Sequence, residues 1–199
     1  MSSGVEKVFA DAEQKAHILA ALSMEERSRV VGWFGVKVWE GRPNESRLLR
    51  DTIFPNLVMT VGKNLLLDTG FAGSAYTVTG PFMFLVSATS FSAYAAADTM
   101  ASHAGWLEAG NANAPTYTSP RKTVAFSSAS GGSKTTSAAL NFAMTGSGTV
   151  QGAGLVYGSG AVSTIDSTAG TLWSAGTFTG GTQPVINGNT LAVTYTTSM

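Results

Sequence analysis

At 199 residues the chain is long enough to bury a sizeable core, and the absence of cysteine excludes disulfides and thiolate metal ligands. The formal net charge is zero with no basic run, which removes the electrostatic footprint of a nucleic-acid binder. No apolar run approaches the ~20 residues of a membrane helix, and the opening MSSGVEKVFADAEQ lacks the apolar segment of a secretory signal, so the chain reads as a soluble protein folding in a reducing cytoplasm.

Charge is unevenly spread. Residues 1–68 hold nine of the twelve Lys/Arg and nine of the twelve Asp/Glu, whereas residues 69–199 hold eighteen of the twenty-three glycines. So few charges on the larger part of the chain depart from the mixed-charge surface of an ordinary monomer. Either other subunits cover much of that surface, which is the favoured explanation, or a Ser/Thr-coated β-domain stays in solution through its hydroxyls.

Taken in order, Val5, Val8, Phe9, Ala12, Ala16, Leu19 and Leu22 recur at three- and four-residue spacing and predict an amphipathic helix. Ser23 with Glu26 is a capping-box pattern that predicts a second short helix from Met24 to about Val31–Gly32. The apolar stripe would pack on its own domain or dock into a groove of a neighbouring subunit. Trp33, Phe34, Val36, Val38 and Trp39 form a β-favouring run ending in the turn Glu40-Gly41-Arg42-Pro43. Such an aromatic cluster is expected as core or subunit interface ahead of a stacking platform for sugars or bases. Together Val5, Val8, Phe9, Leu19, Leu22, Trp33, Phe34 and Trp39 are the candidate assembly interface. Asn44–Pro55 fits a strand or a short helix, ended by Pro55.

Thr60 is a good N-cap for a helix over Val61–Asp68, closed by Gly70 and Gly73. Beyond it, short apolar runs alternate with turns: Pro81–Ala88, Arg121–Ser127, Ala138–Thr145, Gly152–Tyr157, Thr171–Phe178 and Thr190–Thr197. Asn187-Gly188 precedes the alternating Leu191, Val193 and Tyr195 of a half-buried strand, and Gly131-Gly132-Ser133 and Gly146-Ser147-Gly148 read as flexible tips. The expected fold is mainly β, an antiparallel β-sandwich or jelly roll over residues 55–199, preceded by a helical or extended N-terminal assembly arm over residues 1–54.

Catalytic patterns are weak. Asp98, Ser102 and His103 co-occur within six residues, but a nucleophile, base and orienter must converge from separate elements, so a turn ahead of Trp106 is the expected role. His17 and His103 are the only histidines, too few for a zinc site without unusual help from carboxylates. Asp98, Glu108 and Asp166 are too dispersed to suggest a paired-carboxylate glycosidase. Gly131-Gly132-Ser133-Lys134-Thr135 fails the phosphate-loop pattern, because Ser133 stands where that pattern needs glycine. No catalytic, cofactor-binding or metal site is expected.

A combination of short segments resembles a group of small structural proteins of tailed bacteriophages. It consists of Asn56-Leu57-Val58-x-Thr60-x-Gly62-Lys63-Asn64-x-Leu66-Leu67-Asp68, the strand Phe82–Leu85, Ala97–Glu108 with its Asp98 and Trp106, Arg121, Gly170-Thr171-Leu172-Trp173, and Asn187–Tyr195. Asn189 stands where such proteins usually carry Asp. The resemblance covers roughly residues 55–199 and implies a β-sandwich virion component without enzyme activity, assembled in the host cytoplasm. The implied partners are copies of itself and other virion proteins, either the major capsid protein or tail and neck proteins, with neither nucleic acid nor membrane among them. Capsid decoration or cement is the leading expectation. A tail, collar or fibre-attachment component is the alternative, and a carbohydrate- or receptor-binding module using Trp33, Trp39, Trp106 or Trp173 is the rival from another class.

Overall fold

The pleat of one strand sets the orientation of the molecule. In β1 (Val31–Trp39) the residues Phe34, Val36 and Val38 are buried, while Trp33, Gly35, Lys37 and Trp39 alternate onto the other face. The computed structural model describes residues 30–43, 47–71, 79–178 and 181–198, of which 30–198 belong to one compact unit. The expected first helix, with Val5, Val8, Phe9, Leu19 and Leu22, lies outside the described residues, as does most of the second, whose expected end at Val31–Gly32 is instead the start of β1.

Twelve strands and one helix are described. After β1 come β2 (Leu48–Pro55), β3 (Leu57–Val58), helix α1 (Thr60–Phe71), β4 (Phe82–Ser87), β5 (Leu107–Glu108), β6 (Lys122–Thr123), β7 (Ser133–Thr135), β8 (Leu140–Ala143), β9 (Gly148–Tyr157), β10 (Thr171–Thr177), β11 (Gln183–Val185) and β12 (Thr190–Ser198). They build two antiparallel sheets. The first runs β2-β1-β12, with β7 and β8 sharing the far edge of β12. The second runs β3-β10-β9-β4-β5, with β11 beside the start of β9 and β6 beside the start of β4. Phe34, Phe54, Phe142, Leu191, Val193 and Tyr195 of the first sheet share one core with Met83, Leu85, Val150, Leu155 and Trp173 of the second, the arrangement of a sandwich.

The two sheets differ in what covers their outer faces. The second is buried on both sides: β4, β9 and β10 read as nearly continuous buried runs, with Phe84, Val86, Val156, Leu172 and Ala175 turned away from the sandwich core. A further layer covers them, contributed by Met59, Val61 at the start of α1, and the 91–106 segment through Phe91, Tyr94, Met100 and Trp106. Close approach requires glycine within β9. A side chain at Gly154 would drive its Cβ into the Phe84 ring, and one at Gly152 into the Gly176 carbonyl. The first sheet carries no comparable second cluster among the described residues, although Thr190, Ala192 and Thr196 on the outward side of β12 are buried.

Two expectations change here. Within the stretch expected as strand or short helix, Leu48–Pro55 is strand β2, and both β1 and β2 are integral to the first sheet, so the sandwich begins at Val30 and not at residue 55. Strand β12, which carries the Leu191/Val193/Tyr195 alternation, pairs along its whole length with β1 and only over short stretches with β7 and β8 among the described residues. Gly131-Gly132 is a two-residue hairpin turn, both φ positive, closed by reciprocal Ser130–Ser133 backbone bonds at 2.9 and 3.0 Å, so Ser133 opens β7.

Candidate functional site

The outer face of the first sheet carries the most open chemistry. Trp33 and Trp39 stand on the same face of β1, six residues apart and therefore about 20 Å along the strand. Between them a groove of about 550 Å³ follows the sheet. Its floor is made of small residues brought together by register: Gly35 opposite Thr194, and Lys37 opposite both Ala192 and Asp51. Asn141 faces Ala192 from β8 and Ile53 stands at the β2 side, where it is 65 % exposed. Gly35 is required by this arrangement, because a Cβ there would lie 2.5 Å from Thr194 Oγ1, which donates to the Gly35 carbonyl at 3.4 Å. Lys37 Nζ and Asp51 Oδ2 pair at 3.5 Å, with both side chains about half exposed (52 and 53 %), so the groove's charges cancel while their polar atoms stay in solvent.

Phe34 does not belong with these tryptophans. It is fully buried, stacked on Phe54 at 5.2 Å and tilted against Tyr195 at 4.7 Å, because adjacent residues of a strand point to opposite faces. Nor do the other two tryptophans reach a surface. Trp106 and Trp173 are buried, the former under Phe84 with ring centroids 5.6 Å apart.

The Asp98, Ser102 and His103 segment is a compact turn around Trp106. Asp98 Oδ2 accepts from Trp106 Nε1 and from the Ala95 amide, each at 2.9 Å. The His103 ring stacks on Trp106 at 3.8 Å, and its Nδ1 lies 3.0 Å from the Trp106 carbonyl oxygen. Asp98 therefore orients an indole, and Ser102 is held by its backbone amide on Thr99 Oγ1 at 3.0 Å.

Glu108 and Arg121 form a buried bidentate ion pair, with Nε–Oε1 at 2.8 Å and Nη2–Oε2 at 2.6 Å. Arg121 also donates to the carbonyls of Ser167 (2.7 Å) and Val162 (3.2 Å), and Glu108 Oε2 accepts the Asp166 amide at 3.1 Å. Burial pushes the Glu108 carboxyl up, while the Arg121 guanidinium and the Asp166 amide pull it back. The pair ties β5 and the entry to β6 to the loop before β10, with every polar atom directed at protein. A third polar centre is Tyr195 Oη, which accepts from Trp173 Nε1 (2.8 Å), Asn56 Nδ2 (3.1 Å) and, weakly, Ser174 Oγ (3.4 Å). It joins the two sheets, and burial pushes its hydroxyl up.

Lys37, Asp51, Asn141 and Thr194 were not separable in the sequence from other surface residues. The alternation of β1 and β12 marks which residues face outward, but the cross-strand register that gathers them spans more than 150 residues. Among the described residues no group of three or more His, Cys, Asp or Glu is placed to hold a metal ion, and no helix is long and apolar enough to cross a membrane. No protein-family model, curated protein or solved structure matches the chain.

Proposed function

We propose that the chain is a non-enzymatic structural component of a tailed-phage virion, a capsid decoration or cement subunit ahead of a tail, collar or fibre-attachment component. The observation that carries this reading is the surface of the β-region. Of the six charged residues within 69–199, Asp98, Glu108 and Arg121 are buried, which leaves Lys122, Lys134 and Asp166 for the surface that this stretch contributes, while the other charges of the sandwich are confined to residues 30–68. A free monomer relies on dispersed surface charge to resist association, whereas a subunit covered by neighbours does not. Strand β2 adds to this through its exposed Leu48, Leu49 and Ile53, apolar side chains of the kind that a neighbouring subunit covers.

The phage resemblance supports the same reading through the positions it falls on. Asn56, Asp98, Trp106, Glu108, Arg121, Trp173 and Tyr195 are the residues that make the three buried polar centres, so the shared pattern is that of a fold and not of a reaction. The test is incorporation. In a phage that encodes the chain, imaging of particles should place it at symmetry-related positions, and deletion of residues 1–22 should abolish its incorporation. Full occupancy of particles by the truncated protein would refute the anchoring role of that arm, and absence from purified particles would refute the reading as a whole.

A further inference from the structure

We propose that the groove between Trp33 and Trp39 binds a neutral oligosaccharide. The proposal is independent of the virion reading and rests on what the register assembles on this one face. A pyranose ring has an apolar C–H face and a rim of hydroxyls. It is held by an aromatic plane beneath and by hydrogen-bonding groups around the edge, an apolar bed with a few placed polar groups. The outer face of the first sheet supplies both. Indoles stand at its two ends, about 20 Å apart. Between them the Asn141 amide, the Thr194 hydroxyl, the Lys37 ammonium and the Asp51 carboxylate can each donate or accept.

Charge selects among ligand classes. Among the described residues that line the groove, one cation and one anion neutralise each other at 3.5 Å, so this lining offers no net charge to a phosphate backbone or an acidic glycan. An apolar helix laid in the groove would have to bury that half-exposed pair, at a desolvation cost that a hydroxyl-rich ligand avoids by hydrogen-bonding to it. An added peptide strand needs a sheet edge, and this is a sheet face. The length between the tryptophans suits a chain of several sugar units and leaves a monosaccharide with only one stacking partner.

The experiment uses the full chain. Tryptophan fluorescence and calorimetric titration are run with cellohexaose, maltohexaose, xylohexaose and chitohexaose, and with heparin and a sialylated oligosaccharide as charged comparisons. At least one neutral hexaose is expected to bind and to perturb tryptophan emission, with its monosaccharide much weaker. Trp33→Ala and Trp39→Ala should each weaken binding roughly tenfold or more, while Trp33→Phe and Trp39→Phe, which keep an aromatic plane, should stay within a few fold of the parent. Asn141→Trp fills the groove from an exposed position on β8 without removing either indole, and should abolish binding with the melting temperature unchanged. Should Trp39→Ala fail to fold, Asn141→Trp and Trp33→Ala carry the test. Failure of every neutral hexaose to bind, unchanged affinity in Asn141→Trp, or preference for a charged glycan overturns the proposal.

Discussion

Replacing Arg121 by Met should be among the most damaging single changes in the described structure. The substitution keeps much of the apolar stem but removes a guanidinium that makes two bonds to Glu108 and one each to the carbonyls of Val162 and Ser167. Breaking a buried ion pair by deleting one partner costs about 3–5 kcal/mol, and the two orphaned carbonyls place this variant toward the upper end. Against a total stability of about 5–15 kcal/mol that is a large fraction. With a urea m-value of about 2 kcal/mol/M, the unfolding midpoint should drop by roughly 2 M. The loss should also acquire a pH dependence. Without Arg121, burial remains the dominant influence on Glu108, opposed only by the Asp166 amide, and holds its folded-state pKa above the unfolded value, so the native state binds the extra proton. Stability contributed by that protonated carboxyl is present below the unfolded pKa and is lost as pH rises, so the variant should be weaker at pH 8 than at pH 5. Replacing both partners by apolar residues, Glu108→Leu with Arg121→Met, should recover much of the deficit. Urea titrations followed by tryptophan emission at both pH values decide the matter. A midpoint shift under 0.5 M, or a single variant no worse than the double, would show that the pair contributes little and that the loop before β10 is held otherwise.

Other outcomes follow from the same geometry. Tyr195→Phe leaves Trp173 Nε1 and Asn56 Nδ2 buried without their acceptor and should cost about 2–4 kcal/mol by chemical denaturation. Gly32→Ala should be destabilising through the same centre, because its Cβ would lie 2.5 Å from Tyr195 Oη and 2.6 Å from Asn56 Oδ1. Gly154→Ala should cost about 1–3 kcal/mol in the same assay, since the added methyl enters the Phe84 ring and β9 has another sheet behind it. Burial raises the hydroxyls of Tyr94, Tyr117 and Tyr195 above their ordinary value of 10.0. Their protonated forms therefore favour the native state, and stability should fall as pH climbs past about 10, by up to about 4 kcal/mol per unit if all three act together. A stability flat to pH 11.5 would contradict that burial.

The sequence carried the strands of the second half because each is a short apolar run closed by Gly, Ser or Thr: Pro81–Ala88, Thr171–Phe178 and Thr190–Thr197 coincide closely with β4, β10 and β12. Thr60 likewise begins α1. Most strands of two or three residues were not legible. Leu107–Glu108 and Gln183–Val185 exist because a longer strand offers them an edge, a tertiary cause with no local pattern, whereas Lys122–Thr123 falls within the expected run Arg121–Ser127. The boundary at residue 55 followed the start of the resemblance near Asn56, with the charge-rich stretch before residue 69 read as an arm, but charge reports on the surface and β1 is defined by its buried face. Lys37 and Asp51 belong to the charged half by composition and to the sandwich by register. At the candidate groove, Trp33 and Trp39 were visible as aromatics, but assigning Phe34 to the same surface ignored the period of two that separates them.

The position of the groove reconciles its proposed ligand with assembly. All three buried polar centres lie between the sheets or on the second sheet's side, so the outer face of the first sheet can vary without loosening them. A neighbour that packs on the exposed Leu48 and Leu49 of β2 would stand to one side of Asp51 and Ile53 and need not cover Trp33 or Trp39. Copies arrayed on a particle would then repeat the same two-indole platform at fixed spacing. Binding of one oligosaccharide to one subunit can be weak under those conditions, because simultaneous engagement of several sites raises the apparent affinity by something on the order of 10²–10⁴ without any new contact. The assembled form should therefore bind a surface dense in the matching glycan far more tightly than the isolated chain does. Asn141→Trp should erase that gain while leaving assembly intact, since the residue faces the groove from β8, with β1 and β12 between it and β2.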